Sequence, residues 1–227
     1  MKGITTVFFD LDHTLWDFDR NSELTYRKIL PELRIQVDFK KFAYYYGIVN
    51  AKYWQLFREE KISHELLREK RLEEVFKILK IRITKEQIIQ ISELYIKYLT
   101  DYNHLIANAF DILDYLKPNY KLYLLTNGLI DVQKTKIEKS GLDKYFKAMI
   151  TSDDVGCKKP NKEFYNYAMK IASVNNNECV MIGDGWEPDI IGSKRVGITP
   201  LFFNPHNLAV DESVITITDL IEIKKYL

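Results

Sequence analysis

A short strand stands alone at the start of this chain, ahead of some eighty residues that carry no other, and this restricts the fold more than any other feature. Residues 4–9, Ile-Thr-Thr-Val-Phe-Phe, are apolar and β-branched or aromatic, the pattern of a strand buried on both faces. From about Asn21 to Tyr102 only helical periodicity follows. Ile62, Leu66, Leu72, Val75, Phe76 and Leu79 recur at helical spacing. Ile88, Ile91, Tyr95 and Tyr98 do the same behind the capping-box pair Thr84 and Gln87. A strand must pair, so the partners of the first one lie beyond the helical block.

From Ala109 the pattern alternates. A helix near 109–117 leads to a strand over 121–125, and a helix near 130–140, closed by Gly141, leads to a strand over 146–150. Asn161 is placed to cap a helix near 162–172, Cys179-Val-Met-Ile reads as the next strand, and a helix near 188–196 ends at Gly197 before a strand over 199–203. Strands alternating with helices predict an α/β architecture built on a parallel sheet covered on both faces. The expected division is a core made of residues 1–15 and 105–227, with an all-helical domain, 16–104, inserted after the first strand. Charge follows the same division: residues 20–104 carry 17 Lys and Arg against 12 Asp and Glu, although the whole chain of 227 residues is nearly neutral at +1.

That neutrality argues against a nucleic-acid polymer as partner. No run approaches 18 uninterrupted apolar residues, so no membrane span is expected. Met1-Lys2-Gly3-Ile4 leads directly into the strand without the features of a signal peptide, and Cys157 and Cys179 form neither a disulfide framework nor a metal-binding spacing. A cytoplasmic protein with two reduced thiols is the expectation. His13, His64, His104 and His206 have no paired spacing that would hold zinc. The aromatic run Tyr44-Tyr45-Tyr46 and the pair Tyr53-Trp54 are read as packing, with a stacking surface for a nucleobase as the sharper alternative.

Four short motifs fall at strand ends. The first strand ends in Asp10-Leu11-Asp12-His13-Thr14-Leu15, and two carboxylates so close are costly unless a cation or substrate neutralises them. Thr126-Asn127-Gly128 follows the second strand, a hydroxyl and backbone amides where an anion can be held, or ordinary helix caps. Lys159 precedes Pro160, which holds it extended at a loop-to-helix junction from which its ammonium can face inward, whereas Lys158 reads as solvated. Gly183-Asp184-Gly185-Trp186-Glu187-Pro188-Asp189 brings a further carboxylate pair, whose oxygen donors suit Mg²⁺; Asp189 is also placed to face a helix dipole. Each motif is unspecific alone. Together they gather carboxylates, a hydroxyl and a lysine at one sheet edge.

In that order the four motifs resemble those of the haloacid dehalogenase-like hydrolase superfamily, over essentially the whole chain, with the helical insert where that family carries a helical cap of the first type. The stretches around Thr126-Asn127-Gly128 and Val155–Lys162, and the step from Asp184 to Asp189, look like its pyrimidine 5′-nucleotidase branch. His13 stands where glycine is commonest and Gly185 where Ser or Thr is usual; neither removes a carboxylate. The resemblance implies a Rossmann-like core with a helical cap, and a Mg²⁺-dependent phosphatase acting on a small phosphorylated metabolite. In that scheme Asp10 is the nucleophile and Asp12 the general acid and base. Thr126, Lys159 and the backbone near Asn127 hold the phosphoryl oxygens. Asp10, the Asp12 carbonyl, Asp184 and Asp189 hold the metal or support it. Trp16, Asp17, Phe18 and Asn21 are the residues expected near the leaving group. A sugar-phosphate phosphomutase is the alternative. A 2-haloacid dehalogenase is disfavoured by Asp12, and a non-enzymatic scaffold would have little use for the four motifs together.

Overall fold

The computed structural model describes residues 1–227. In chain order, strand β1 (Thr6–Phe9) is followed by helices α1 (Phe18–Glu32), α2 (Phe39–Arg58), α3 (His64–Ile78), α4 (Lys85–Leu99) and α5 (Ala109–Leu116). Then come β2 (Lys121–Thr126), α6 (Ile130–Ser140), β3 (Ala148–Thr151), the single turn α7 (Ser152–Val155), α8 (Lys162–Ala172) and β4 (Cys179–Gly183). A π-helical segment, Trp186–Ile191, runs into the short α9 (Gly192–Lys194), and β5 (Thr199–Phe203) and β6 (Ile215–Ile217) complete the sheet. The chain divides into two compact units, Met1–Phe18 with Asn103–Leu227, and Asp19–Tyr102.

The first unit is a parallel six-stranded sheet in the order β3-β2-β1-β4-β5-β6. β1 lies at its centre: Phe8 is in register with Tyr123 on one side and Met181 on the other, and all four β1 residues are buried. Chain order runs outward from β1 through β2 to β3, then resumes on the opposite flank at β4. Such a reversal opens a crevice beyond the carboxyl ends of the strands, where ligands bind in open α/β sheets. The strand over Ile215–Ile217 is not among the expected ones, although Val214-Ile215-Thr216-Ile217-Thr218 is an unbroken β-branched run; it pairs with β5 at the sheet edge.

The β1 strand leaves through a tight loop in which the Leu15 and Trp16 amides both donate to the Leu11 carbonyl at 2.9 Å. Trp16 bridges Asp12 on one side and Leu105 on the other. These contacts keep Trp16, Asp17 and Phe18 with the sheet, so the division falls after Phe18 and not after residue 15. The helix expected over 188–196 is instead the π-helical segment followed by one short turn, because the Asp189 and Ile190 amides both donate to the Gly185 carbonyl.

The second unit holds α2, α3 and α4 with nearly all of α1. Tyr26 stacks on Tyr95 with ring centroids 4.8 Å apart, and Phe42, Leu67, Leu72, Val75, Phe76, Ile88 and Ile91 are buried. The capping box joining Thr84 and Gln87 is present. Of the residues read as one apolar stripe, Leu66 is exposed and Leu67 takes its place, while Tyr46 is buried and Tyr44 exposed.

Candidate active site

Asp10 follows directly from β1, where its amide donates to the Ile182 carbonyl of β4 at 2.9 Å. Its side chain emerges at the crevice, 13% exposed, with Oδ1 accepting from Lys159 Nζ at 2.6 Å. Lys159 is 2% exposed and directs its ammonium at three acceptors: Asp10 Oδ1, Asp189 Oδ1 at 2.7 Å and the Leu125 carbonyl at 2.6 Å. Burial alone would lower its pKa, but Asp10 and Asp189 outweigh it and hold the ammonium charged. The loop carrying Lys159 is fixed by Asn127, whose side chain donates to the Lys159 carbonyl at 2.9 Å and accepts from its amide at 2.8 Å. The Asn127 side chain is thus committed to the backbone.

Asp184 and Asp189 enter from the end of β4. Thr14 Oγ1 donates to Asp184 Oδ1 and accepts from the Asp184 amide, both at 3.1 Å, which couples the first and fourth motifs. Asp189 is 1% exposed; its Oδ2 accepts from the Gly185 amide at 2.9 Å. Gly183 permits this approach, since a Cβ there would stand 2.4 Å from Asp189 Oδ2. Carboxylate oxygens of Asp10, Asp184 and Asp189 all lie within 4.8 Å of one another. Burial raises Asp10 well above the ordinary carboxylate range, with Lys159 opposing and Asp189 and Asp184 adding to it. Burial likewise pushes Asp184 up to about 6, with His13 opposing and Asp189 adding to it. Three clustered carboxylates thus face one ammonium.

Asp12 points elsewhere. Its Oδ1 accepts from Lys136 Nζ at 2.6 Å and its Oδ2 from Gln133 Nε2 at 2.8 Å, so its carboxylate lies outside the cluster. Thr126, buried at the end of β2, accepts from Gln133 Nε2 at 2.7 Å and from the Gly128 amide at 3.1 Å. A hydroxyl that accepts twice still has its own hydrogen to donate.

A family model described as haloacid dehalogenase-like hydrolase matches residues 4–197. The chain belongs to the haloacid dehalogenase-like hydrolases. It is similar to the pyrimidine 5′-nucleotidase PynA of Streptococcus pneumoniae, 31% identical over 204 residues that cover 89% of this chain and 84% of that protein. It is 27% identical over 225 residues to the pyrimidine 5′-nucleotidase YjjG of Escherichia coli, covering 97% and 96%. Among solved structures, the HAD-hydrolase YfnB of Bacillus subtilis bound to magnesium superposes with a TM-score of 0.90 at 27% identity, over 100% of this chain and 99% of that one.

In this hydrolase the clustered carboxylates fit Mg²⁺: the donors are all oxygen, they converge, and one lysine leaves their charge incompletely offset. Sequence reasoning missed Thr14, Gln133 and Lys136. Thr14 reads as a loop hydroxyl. Gln133 and Lys136 carried a usable signal, since α6 between two buried strands needs a buried face, and only Gln133, Lys136 and Ile137 provide it. Of the residues expected near a leaving group, Trp16 is bridged to Asp12 and Phe18 flanks the Lys136 ammonium at 5.5 Å. Trp16 and Asn21 are fully buried, and Trp16 packs over the Lys136 ammonium at 4.2 Å.

Proposed function

We propose that this chain is a Mg²⁺-dependent phosphatase that hydrolyses a small phosphomonoester through an aspartyl-phosphate, and that pyrimidine nucleoside 5′-monophosphates are its substrates. The observation that carries the reading is the convergence of Asp10, Lys159, Asp184 and Asp189 at the sheet's switch point, with a second carboxylate, Asp12, held apart from them. The naming of PynA and YjjG as pyrimidine 5′-nucleotidases supports the substrate class.

Lys159 occupies Asp10 Oδ1, which leaves Oδ2 as the attacking atom. In the first half-reaction Oδ2 forms a bond to phosphorus while the bond to the ester oxygen breaks, and Asp12 gives that oxygen a proton. In the second, Asp12 takes a proton from the water that attacks phosphorus, the bond to Asp10 breaks, and inorganic phosphate leaves. Ester and water have then become alcohol and phosphate, and both carboxyl groups are restored. The Thr126 hydroxyl and the Asn127 backbone amide donate to phosphoryl oxygens as charge moves onto them. Lys159 does the same after releasing one of its protein acceptors. Asp10, Asp184 and the Asp12 carbonyl, with Asp189 beside them, would hold Mg²⁺, whose positive charge would offset that of these carboxylates and of a dianionic ester.

The test is phosphate release from nucleoside monophosphates and sugar phosphates, with Mg²⁺ and with EDTA. Turnover that requires Mg²⁺ and prefers UMP, dUMP or dTMP supports the full reading. Mg²⁺-dependent turnover spread over sugar phosphates keeps the phosphatase and discards the nucleotidase. Isomerisation of a sugar phosphate that requires an added sugar bisphosphate and releases no net phosphate turns the reading to a phosphomutase.

A further inference from the structure

Asp12 is held by two side chains that no motif contains. Gln133 and Lys136 lie one turn apart on α6, on the face turned into the protein, and are 1% and 2% exposed. Each grips a different oxygen of the Asp12 carboxylate, at 2.8 and 2.6 Å. A buried lysine is costly unless paired, and Lys136 is paired with Asp12 at 2.6 Å. The Trp16 and Phe18 rings flank its ammonium, with centroids at 4.2 and 5.5 Å, and Trp16 is itself bridged to the Asp12 backbone. Gln133 has a second task. The amide that reaches Asp12 also donates to Thr126 Oγ1 at 2.7 Å, so one side chain links the second motif to the first. Gly128 accommodates this, because a Cβ there would stand 2.6 Å from the Gln133 amide carbon.

Resting on the hydrolytic reading above, we infer that Gln133 and Lys136 form a clamp on Asp12, two positioning residues that aim its carboxylate for proton transfer. A free aspartate turns about two side-chain bonds, and proton transfer requires one oxygen within hydrogen-bond reach of the leaving group or water. The clamp removes that freedom and leaves each oxygen a further lone pair for the transferred proton. Neither clamp residue needs to touch substrate, so both act through Asp12.

The inference is tested with Lys136→Met, which keeps an unbranched stem beneath Trp16, and separately with Gln133→Met. Each is assayed in Mg²⁺ on a nucleoside 5′-monophosphate, whose alkoxide leaving group needs a proton, and on 2,4-dinitrophenyl phosphate, whose leaving group does not. Expected for each variant is a fall in kcat on the nucleotide of about 10- to 100-fold with KM within about twofold, while the first-turnover burst of dinitrophenolate keeps its wild-type rate. Combining Lys136→Met with Asp12→Asn is expected to cost nothing beyond Asp12→Asn alone. A dinitrophenolate burst rate that falls as far as kcat on the nucleotide, a change confined to KM, or losses that multiply in the double variant overturn the clamp. If Lys136→Met does not fold by circular dichroism, Gln133→Met decides on the same criteria. A wild-type chain inactive on both esters, or an Asp12→Asn variant as active as wild type on the nucleotide, overturns the hydrolytic reading and the clamp with it.

Discussion

The three hydrogens of the Lys159 ammonium are directed at Asp10, Asp189 and the Leu125 carbonyl, and its backbone N–H and carbonyl are both tied to the Asn127 side chain. A single buried cation therefore joins the ends of β1, β2 and β4, and its loop is held by one amide. Asn127→Ala removes both bonds to that loop. It is expected to cost about 1–3 kcal/mol in urea unfolding and to lower kcat, since a displaced Lys159 no longer braces Asp10. Asp10→Asn leaves the fold intact and removes the nucleophile; turnover is expected to fall at least about a thousandfold, about 4 kcal/mol of barrier, read as phosphate release at saturating substrate. Gly183→Ala places a methyl where Asp189 Oδ2 now lies. The loss of activity it causes should accompany a folded chain, with a circular dichroism spectrum like that of wild type. The motif residues were legible in the sequence because their side chains are chemically conspicuous at strand ends. Thr14 and the staple role of Asn127 were not, because a hydroxyl and an amide acquire those roles only once residues far apart in the chain meet.

Alternation of strand and helix from Ala109 onward gave α5, β2, α6, α8 and β5 within a residue or so of their ends, since each is long enough for its periodicity to register. The segment after β4 was harder to read. Pro188 has no amide to donate and Asp189 is drawn inward by Lys159, so the turn widens where an ordinary helix was expected. Asn161 does cap α8, its side chain accepting from the Glu163 amide at 3.1 Å. Asn161→Ala is expected to cost about 1 kcal/mol and lower the melting temperature by about 2–4 °C, with KM unchanged. α6 is the element whose role lay furthest from its pattern. It follows β2 as any crossover helix does, yet its buried face is mostly polar, spent on Asp12 and Thr126 instead of on a core.

Stability of the whole chain carries signatures of both units. His64 opens α3 against Trp54 and Phe57, and burial, with Arg68 and Arg71 adding to it, pulls its pKa from 6.5 to about 4. The unfolded chain therefore holds more protons there between about pH 6.5 and pH 4, and the contribution of His64, present at pH 7, is lost as pH falls through that window. The stability difference between wild type and His64→Gln should shrink from pH 7 to pH 5 in paired urea titrations. In the sheet-bearing unit the surplus of carboxylates over ammonium predicts that Mg²⁺ raises the melting temperature, by the equivalent of about 2.7 kcal/mol at a hundredfold excess over Kd, and that Asp184→Asn abolishes the effect.

The insertion after β1 also sets an order of events during synthesis. β1 leaves the ribosome well before its partners, which begin only at Lys121 and Cys179. Meanwhile Asp19–Tyr102, where α2 packs on α3 and α3 on α4, consists of neighbours in sequence and can close its own interior early. The strand bearing the nucleophile thus waits, unpaired, through the making of half the chain. The site assembles only when Cys179–Gly183 and then Asp184 and Asp189 arrive, so a nascent chain cannot gain its chemistry before Asp189 is made.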